Sequence, residues 1–121
     1  MAYPVQFPAH WKPFVVRVTD VSTASSTWVH PGINGKIKHA SSVIDGAIAT
    51  APSVLTFEIG GTAVTGLTVT ITHTSSAAGD VDTATATALN SFTSDQAIEV
   101  VCSGASDNAV VANVTIWVEP T

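Results

Sequence analysis

The chain has 121 residues and a formal net charge of −5, and its length fits one ordinary domain. Charged residues make up only 11% of it, against about 25% in an average soluble domain. Four lysines and arginines cannot supply the basic stripe that binding to a phosphate backbone requires, so the sequence predicts no nucleic-acid partner. It also predicts no membrane span, because no run of about 18 apolar residues occurs.

Residues 1–13 differ in composition from the rest of the chain. They contain three prolines, no glycine and three aromatic residues, Tyr3, Phe7 and Trp11. Proline favours an extended backbone, on which spaced aromatic rings cannot bury one another. We therefore expect an anchoring arm whose rings occupy a groove on this subunit or on a neighbour, with an unstructured terminus as the alternative. The segment lacks the basic start and apolar core of a secretory signal, so we expect the protein to be made and kept in the cytoplasm, or to leave the cell by lysis.

From Phe14 onward, short β-strand patterns alternate with turn residues. In the clearest pattern, Leu55, Phe57 and Ile59 alternate with polar residues, and Leu67, Val69 and Ile71 repeat this further on. The predicted strands are 14–19, 27–29, 36–45, 54–59, 67–73, 81–89, 97–103 and 110–119. About eight short strands without a helical period predict an all-β domain at 14–121, an antiparallel β-sandwich or jelly roll preceded by the extended N-terminal arm.

Three local features refine this prediction. Asn34-Gly35 is a strong hairpin-turn dipeptide, which predicts that the strands on either side of it pair. Ile37 and Ile44 fall on opposite parities of one strand, which indicates a bulge between them. Trp117 falls on the face of the last strand that points away from the core. It is therefore a candidate interface anchor, unless the N-terminal arm covers it.

Residue patterns that would indicate catalysis or metal binding are sparse. His30 and His39 would face each other across the predicted hairpin, but no third ligand accompanies them. Asp80 and Asp82 alternate as in calcium loops, yet the rest of that pattern is missing, so a turn before a strand is favoured. Cys102 is in phase with apolar neighbours and is expected to be buried. We predict no enzymatic activity, no metal and no cofactor.

Several segments together resemble short virion proteins of tailed bacteriophages. They are Trp28-Val29-His30-Pro31, Gly35-Lys36-Ile37, the stretches 42–48, 55–66 and 76–85, and Ala97-Ile98-Glu99-Val100. These proteins are similar to capsid decoration, or cement, proteins, and the resemblance covers about residues 14–118. Its motifs mark strands and turns and contain no catalytic group.

The resemblance implies a protein that binds the major capsid protein on the outer surface of the virion, commonly as a homotrimer, and stabilises the lattice by bridging capsomers. Tyr3, Phe7, Trp11, Trp28 and Trp117 are the candidate interface residues. Two other classes stay open: a head fibre or glycan- and receptor-binding β-sandwich, and a structural component of the tail or neck. Trp117→Ala would abolish saturable glycan binding in the first, and the second would form rings or tubes.

Overall fold

The computed structural model describes residues 7–121, and every regular element in that range is a β-strand. The strands are β1 Lys12–Val18, β2 Ser25–Val29, β3 Gly35–Ile44, β4 Ser53–Ile59, β5 Thr62–Ile71, β6 Val81–Thr85, β7 Ser91–Phe92, β8 Ile98–Cys102 and β9 Ala112–Pro120. Residues 7–121 therefore contain no helix that could cross a membrane.

The strands form two antiparallel sheets, which confirms the predicted all-β sandwich. One sheet has the order β1-β9-β3-β6, with the two-residue β7 pairing to β3, and the other has the order β2-β8-β4-β5. Strands that are adjacent in sequence mostly lie in opposite sheets, and only β4 and β5 form a sequential pair. Each sheet turns its apolar positions toward the other, so the two sets of alternating side chains share one core.

The core forms where the inward positions of the central strands meet. Ile116 and Val118 of β9 and Leu55 and Phe57 of β4 are all fully buried. Cys102 was expected to be buried, and this is confirmed: it is 2% exposed, and its sulfur lies 3.3 Å from the hydroxyl of Ser53. The hydroxyl of Ser53 donates in turn to the Val21 carbonyl at 2.9 Å, which satisfies a buried polar group.

The hairpin predicted at Asn34-Gly35 is wrong, because the strands on either side of this dipeptide belong to different sheets. β2 pairs with β8, whereas β3 pairs with β6, β7 and β9. The Asn34 side-chain oxygen accepts from the Ser94 amide at 2.8 Å and so holds this crossover. Gly35 is required for close packing: a Cβ there would lie 2.8 Å from Val118 Cγ1 and 3.0 Å from Phe92 Cζ.

Other details of the strand prediction have mixed outcomes. The bulge predicted between Ile37 and Ile44 is confirmed, since the register of β3 against β9 shifts between Ile37 and His39. β5 begins earlier than predicted, at Thr62, and β6 ends earlier, at Thr85. β1 begins at Lys12, so two residues of the predicted 1–13 arm belong to the sheet.

Candidate interaction surfaces

Phe7 lies at the centre of a group of rings on the outer face of the five-stranded sheet. Its ring centroid is 5.3 Å from Trp11, 5.0 Å from Trp117 and 4.8 Å from the His39 imidazole. Trp117 and His39 are directly paired across β9 and β3 and form the floor of this group. We call these four side chains the aromatic cluster. Through it, the described end of the N-terminal segment packs against the sheet of its own chain.

The bulge in β3 is the reason that His39 takes part in the cluster. Strict alternation from the buried Ile37 would turn His39 toward the core. The register shift instead leaves His39 partly exposed on the outer face, and the next residue, Ala40, is buried. The extra residue in the bulge thus re-aims one side chain without disturbing the apolar stripe beyond it.

Three ionisable side chains, His10, Glu119 and Lys38, lie at the rim of the aromatic cluster. His10 Nε2 lies 3.5 Å from Glu119 Oε2, and Lys38 Nζ lies 5.9 Å from the centroid of the Trp11 ring. The contact with His10 lowers the pKa of the Glu119 carboxyl, and Lys38 adds to this effect through its charge. The buried Trp11 indole nitrogen is near the same carboxylate, but it meets no acceptor in hydrogen-bond geometry within the described residues.

The position of His39 predicts a pH-dependent stability. Burial in the cluster lowers the pKa of His39 below its usual 6.5, so the folded state favours the neutral imidazole. The unfolded chain takes up a proton first as the pH falls through about 6.5, so acidification below this value destabilises the fold. We expect wild type to lose more stability than His39→Gln between about pH 7.5 and pH 5.5, measured by urea unfolding. His73→Gln, outside the cluster, is the matched control and should respond as wild type does. Equal losses in wild type and His39→Gln would contradict the prediction.

Trp28 lies apart from the cluster, on the outer face of the four-stranded sheet. It belongs to the edge strand β2 and is 61% exposed. Its ring is one wall of a shallow cavity of about 280 Å³, and Glu58, Glu99 and Gln96 are among the other walls. Glu99 is directly paired with Trp28 on one side and with Glu58 on the other. We call this surface the Trp28 pocket.

The Trp28 pocket places two like charges opposite each other, and this predicts a stabilising substitution. Because directly opposed like charges on a sheet repel, Glu99→Gln should raise the free energy of unfolding by about 0.2–1 kcal/mol at low salt. Added salt should reduce the gain, since the pair is only partly buried. Urea unfolding measures both effects. Glu119→Gln is the control, because its carboxylate faces His10 and Lys38 and its removal should bring no gain. Loss of stability in Glu99→Gln would contradict the repulsion.

The structure brings together three of the five candidate interface residues, Phe7, Trp11 and Trp117. Trp28 is separate, and Tyr3 lies outside the described residues. Trp117 points outward, as its phase predicts, and the described part of the N-terminal segment covers it. His39 also belongs to this surface, although the sequence left its role open. The only sequence signal for it was the change of parity that indicated the bulge.

The sequence suggested two candidate metal-ligand pairs, His30 with His39 and Asp80 with Asp82, and the structure shows other contacts for both. His30 and His39 do not face each other: His30 Nε2 donates to the Ser94 carbonyl at 2.7 Å, and His39 Nδ1 lies 3.2 Å from the Thr85 hydroxyl. The Asp80 carboxylate accepts from the Ala77 amide at 2.9 Å and so closes a turn, as favoured from the sequence. Over residues 7–121, no group of three or more His, Cys, Asp and Glu side chains could hold a metal ion.

No protein-family model matches the chain, and no curated protein matches it either.

Proposed function

We propose that this chain is a structural protein of a bacteriophage virion, of the decoration or cement class. In this role it binds the major capsid protein on the outside of the capsid and stabilises the lattice by bridging capsomers. Its assembly as a homotrimer, and its synthesis in the cytoplasm of the host bacterium, belong to the same proposal. The resemblance of its strand and turn motifs to phage virion proteins motivates the proposal, and the surface described above supports it.

The observation that carries this proposal is the lack of charge across the middle of both outer faces. On the five-stranded sheet, the middle row of paired residues is Val15, Thr115, Ser41 and Thr83. On the four-stranded sheet, it is Ser26, Val101, Thr56 and Thr68. Neither row contains an ion. Covering such surfaces with another protein strips water from hydroxyls and methyl groups only, which costs far less than desolvating charges.

The strand order supports the finer prediction of a jelly roll. With the short β7 set aside, eight strands remain in two sheets of four, β1-β9-β3-β6 and β2-β8-β4-β5. The first and last strands are neighbours, and consecutive strands alternate between the two sheets except at the β4-β5 hairpin. This arrangement is expected when a long hairpin is wound into a roll. Jelly rolls of eight strands occur in viral capsid proteins and in lectins, so the architecture is compatible with the proposal but does not select it.

The test is binding to expanded capsids of the phage that encodes the chain. We expect saturable co-sedimentation at a fixed ratio to the capsid protein. Deleting residues 1–11 should abolish occupancy and leave the isolated domain folded, because β1 starts at Lys12. Removing residues 1–6 alone spares Phe7 and Trp11. Comparing the two deletions therefore distinguishes the contribution of residues 1–6 to capsid occupancy from that of the aromatic cluster. Unchanged occupancy after the longer deletion would refute the role of the arm. Absence of the wild-type chain from purified particles would refute the function.

A second candidate is a glycan-binding head-fibre domain, and one observation favours it. The Trp28 ring is exposed beside the amide of Gln96 and the carboxylate of Glu58, and together they offer a stacking surface with hydrogen-bonding groups. The Trp117 ring, by contrast, is in contact with Phe7. Saturable binding on a glycan array that Trp28→Ala abolishes, without any occupancy on capsids, would favour this function over decoration.

A further inference from the structure

The Trp28 pocket has a charge imbalance that the rest of its sheet does not compensate. All four lysines and arginines, Lys12, Arg17, Lys36 and Lys38, lie on β1 and β3 of the five-stranded sheet. The strands of the four-stranded sheet contribute none. Across residues 7–121 no lysine or arginine lies within ion-pair distance of a carboxylate, and the one histidine that does is His10, beside Glu119. Neither Glu58 nor Glu99 therefore has a cationic partner in that range.

A complementary surface lies on β1, at the edge of the opposite sheet. Val15 and Arg17 point outward and alternate with the buried Val16 and Val18. Val15 is 67% exposed. Arg17 is exposed as well and pairs across the sheet with the neutral Asn113. We call Val15 and Arg17 the β1 strip. The β1 strip thus presents an apolar side chain next to a cation, and this cation has no ion-pair partner among the described residues.

We propose that the β1 strip of one copy binds in the Trp28 pocket of a second copy, with Arg17 between Glu58 and Glu99 and Val15 against the Trp28 ring. The spacings agree. Residues two apart on a strand are about 6.6 Å apart, and the midpoint of the two glutamates is one and a half strand spacings, about 7 Å, from Trp28. A guanidinium group forms paired hydrogen bonds with carboxylates, and an apolar side chain packs against the face of an indole ring.

The occupant is a second copy because both halves of the contact belong to this chain. The β1 strip and the Trp28 pocket face outward from opposite sheets, so one molecule cannot join them within itself. The aromatic cluster lies over Trp117, one row away from Val15, and leaves the β1 strip exposed. A contact between two different patches is heterologous, so it produces a closed ring or an open chain.

The expected association is weak in solution. Stable protein interfaces bury about 800 Å² on each partner, and a contact centred on two residues buries much less. Copies held side by side on a larger particle would experience a high effective concentration, which favours the same contact. The interface itself needs no capsid. It therefore goes beyond the proposed function, and its test uses the purified protein alone.

The test is a charge-reversal exchange, followed by sedimentation at protein concentrations of about 10 μM to 1 mM. Wild type should self-associate, and Arg17→Glu should weaken association at least about tenfold. The double variant Glu58→Arg/Glu99→Arg should weaken it similarly. An equimolar mixture of these two proteins should associate again, because each copy then meets an opposite charge. Lys36→Glu, a reversal elsewhere on the same sheet, is the control and should associate as wild type does.

Thermal unfolding of each variant establishes that it is folded before association is measured. A wild type that stays monomeric at the highest concentration would overturn the inference. The inference would also be overturned if Arg17→Glu associated as strongly as wild type does. A mixture of the two folded variants that failed to associate would overturn it as well. Because no capsid is present, these outcomes are independent of the capsid-binding assay.

Discussion

Replacing Gly104 with alanine is expected to destabilise the domain by more than about 3 kcal/mol, through backbone strain and steric overlap. Gly104 follows β8 and has a φ of +71°, a left-handed conformation that residues with a Cβ adopt at a cost. The same loop passes directly against the segment after β1. A Cβ on Gly104 would overlap with the Ala24 amide nitrogen and the Thr23 carbonyl carbon. Backbone atoms cannot rotate away as a side chain can, so the two loops would have to separate.

Gly32 is a matched control for this substitution. Its φ is also +71°, but a Cβ there would meet no atom within 4 Å. Gly32→Ala should therefore show the conformational cost alone, about 1–2 kcal/mol. The difference between the two variants in urea unfolding isolates the steric overlap between the loops. Equal losses at both positions would show that the loop after β8 moves freely away from the loop after β1.

Phe57→Ala is expected to cost about 3–5 kcal/mol, a large part of the 5–15 kcal/mol that typically stabilises a domain. The Phe57 ring is fully buried in β4 and is the largest fully buried side chain of the described chain. Its removal leaves a cavity, and the pairing of Phe57 with Val100 on β8 holds the backbone of β4 in place beside it. Closing this space would require one sheet to move toward the other.

Urea unfolding at neutral pH measures the loss in Phe57→Ala, with Val81→Ala as the control. Val81 is 59% exposed on β6, so its truncation should change stability by less than about 0.5 kcal/mol. The dependence of the unfolding free energy on urea concentration should be the same in both variants and in wild type, since the surface exposed on unfolding hardly changes. A loss below about 1 kcal/mol in Phe57→Ala would mean that the core collapses around the missing ring.

The alternation of apolar residues predicted the strands because it depends only on local geometry. In β4, Leu55, Phe57 and Ile59 alternate with polar residues, and in the structure all three are buried. Alternation shows which residues share a face, but it does not show which sheet a strand joins. The error at Asn34-Gly35 follows from this: the dipeptide favours a local turn, but the pairing of β2 with β8 and of β3 with β9 prevails.

The candidate surfaces were predictable only in part, for a related reason. Aromatic composition singled out Phe7, Trp11 and Trp117, which meet in space. The pairing of Glu58 with Glu99 was not visible, because the two residues lie on strands far apart in sequence and only the register aligns them. β7 was also missed, since Ser91 and Phe92 are too few residues to show a period.

Because Cys102 is buried, the rate at which its thiol reacts with a reagent reports on opening of the fold. It is the one cysteine of the chain, so any reaction with a thiol reagent occurs at a single known atom. Its sulfur lies on β8 between the sheets, where a reagent can reach it only after the strands separate. The labelling rate therefore measures how often the wild-type sandwich opens, without denaturant and without an introduced probe.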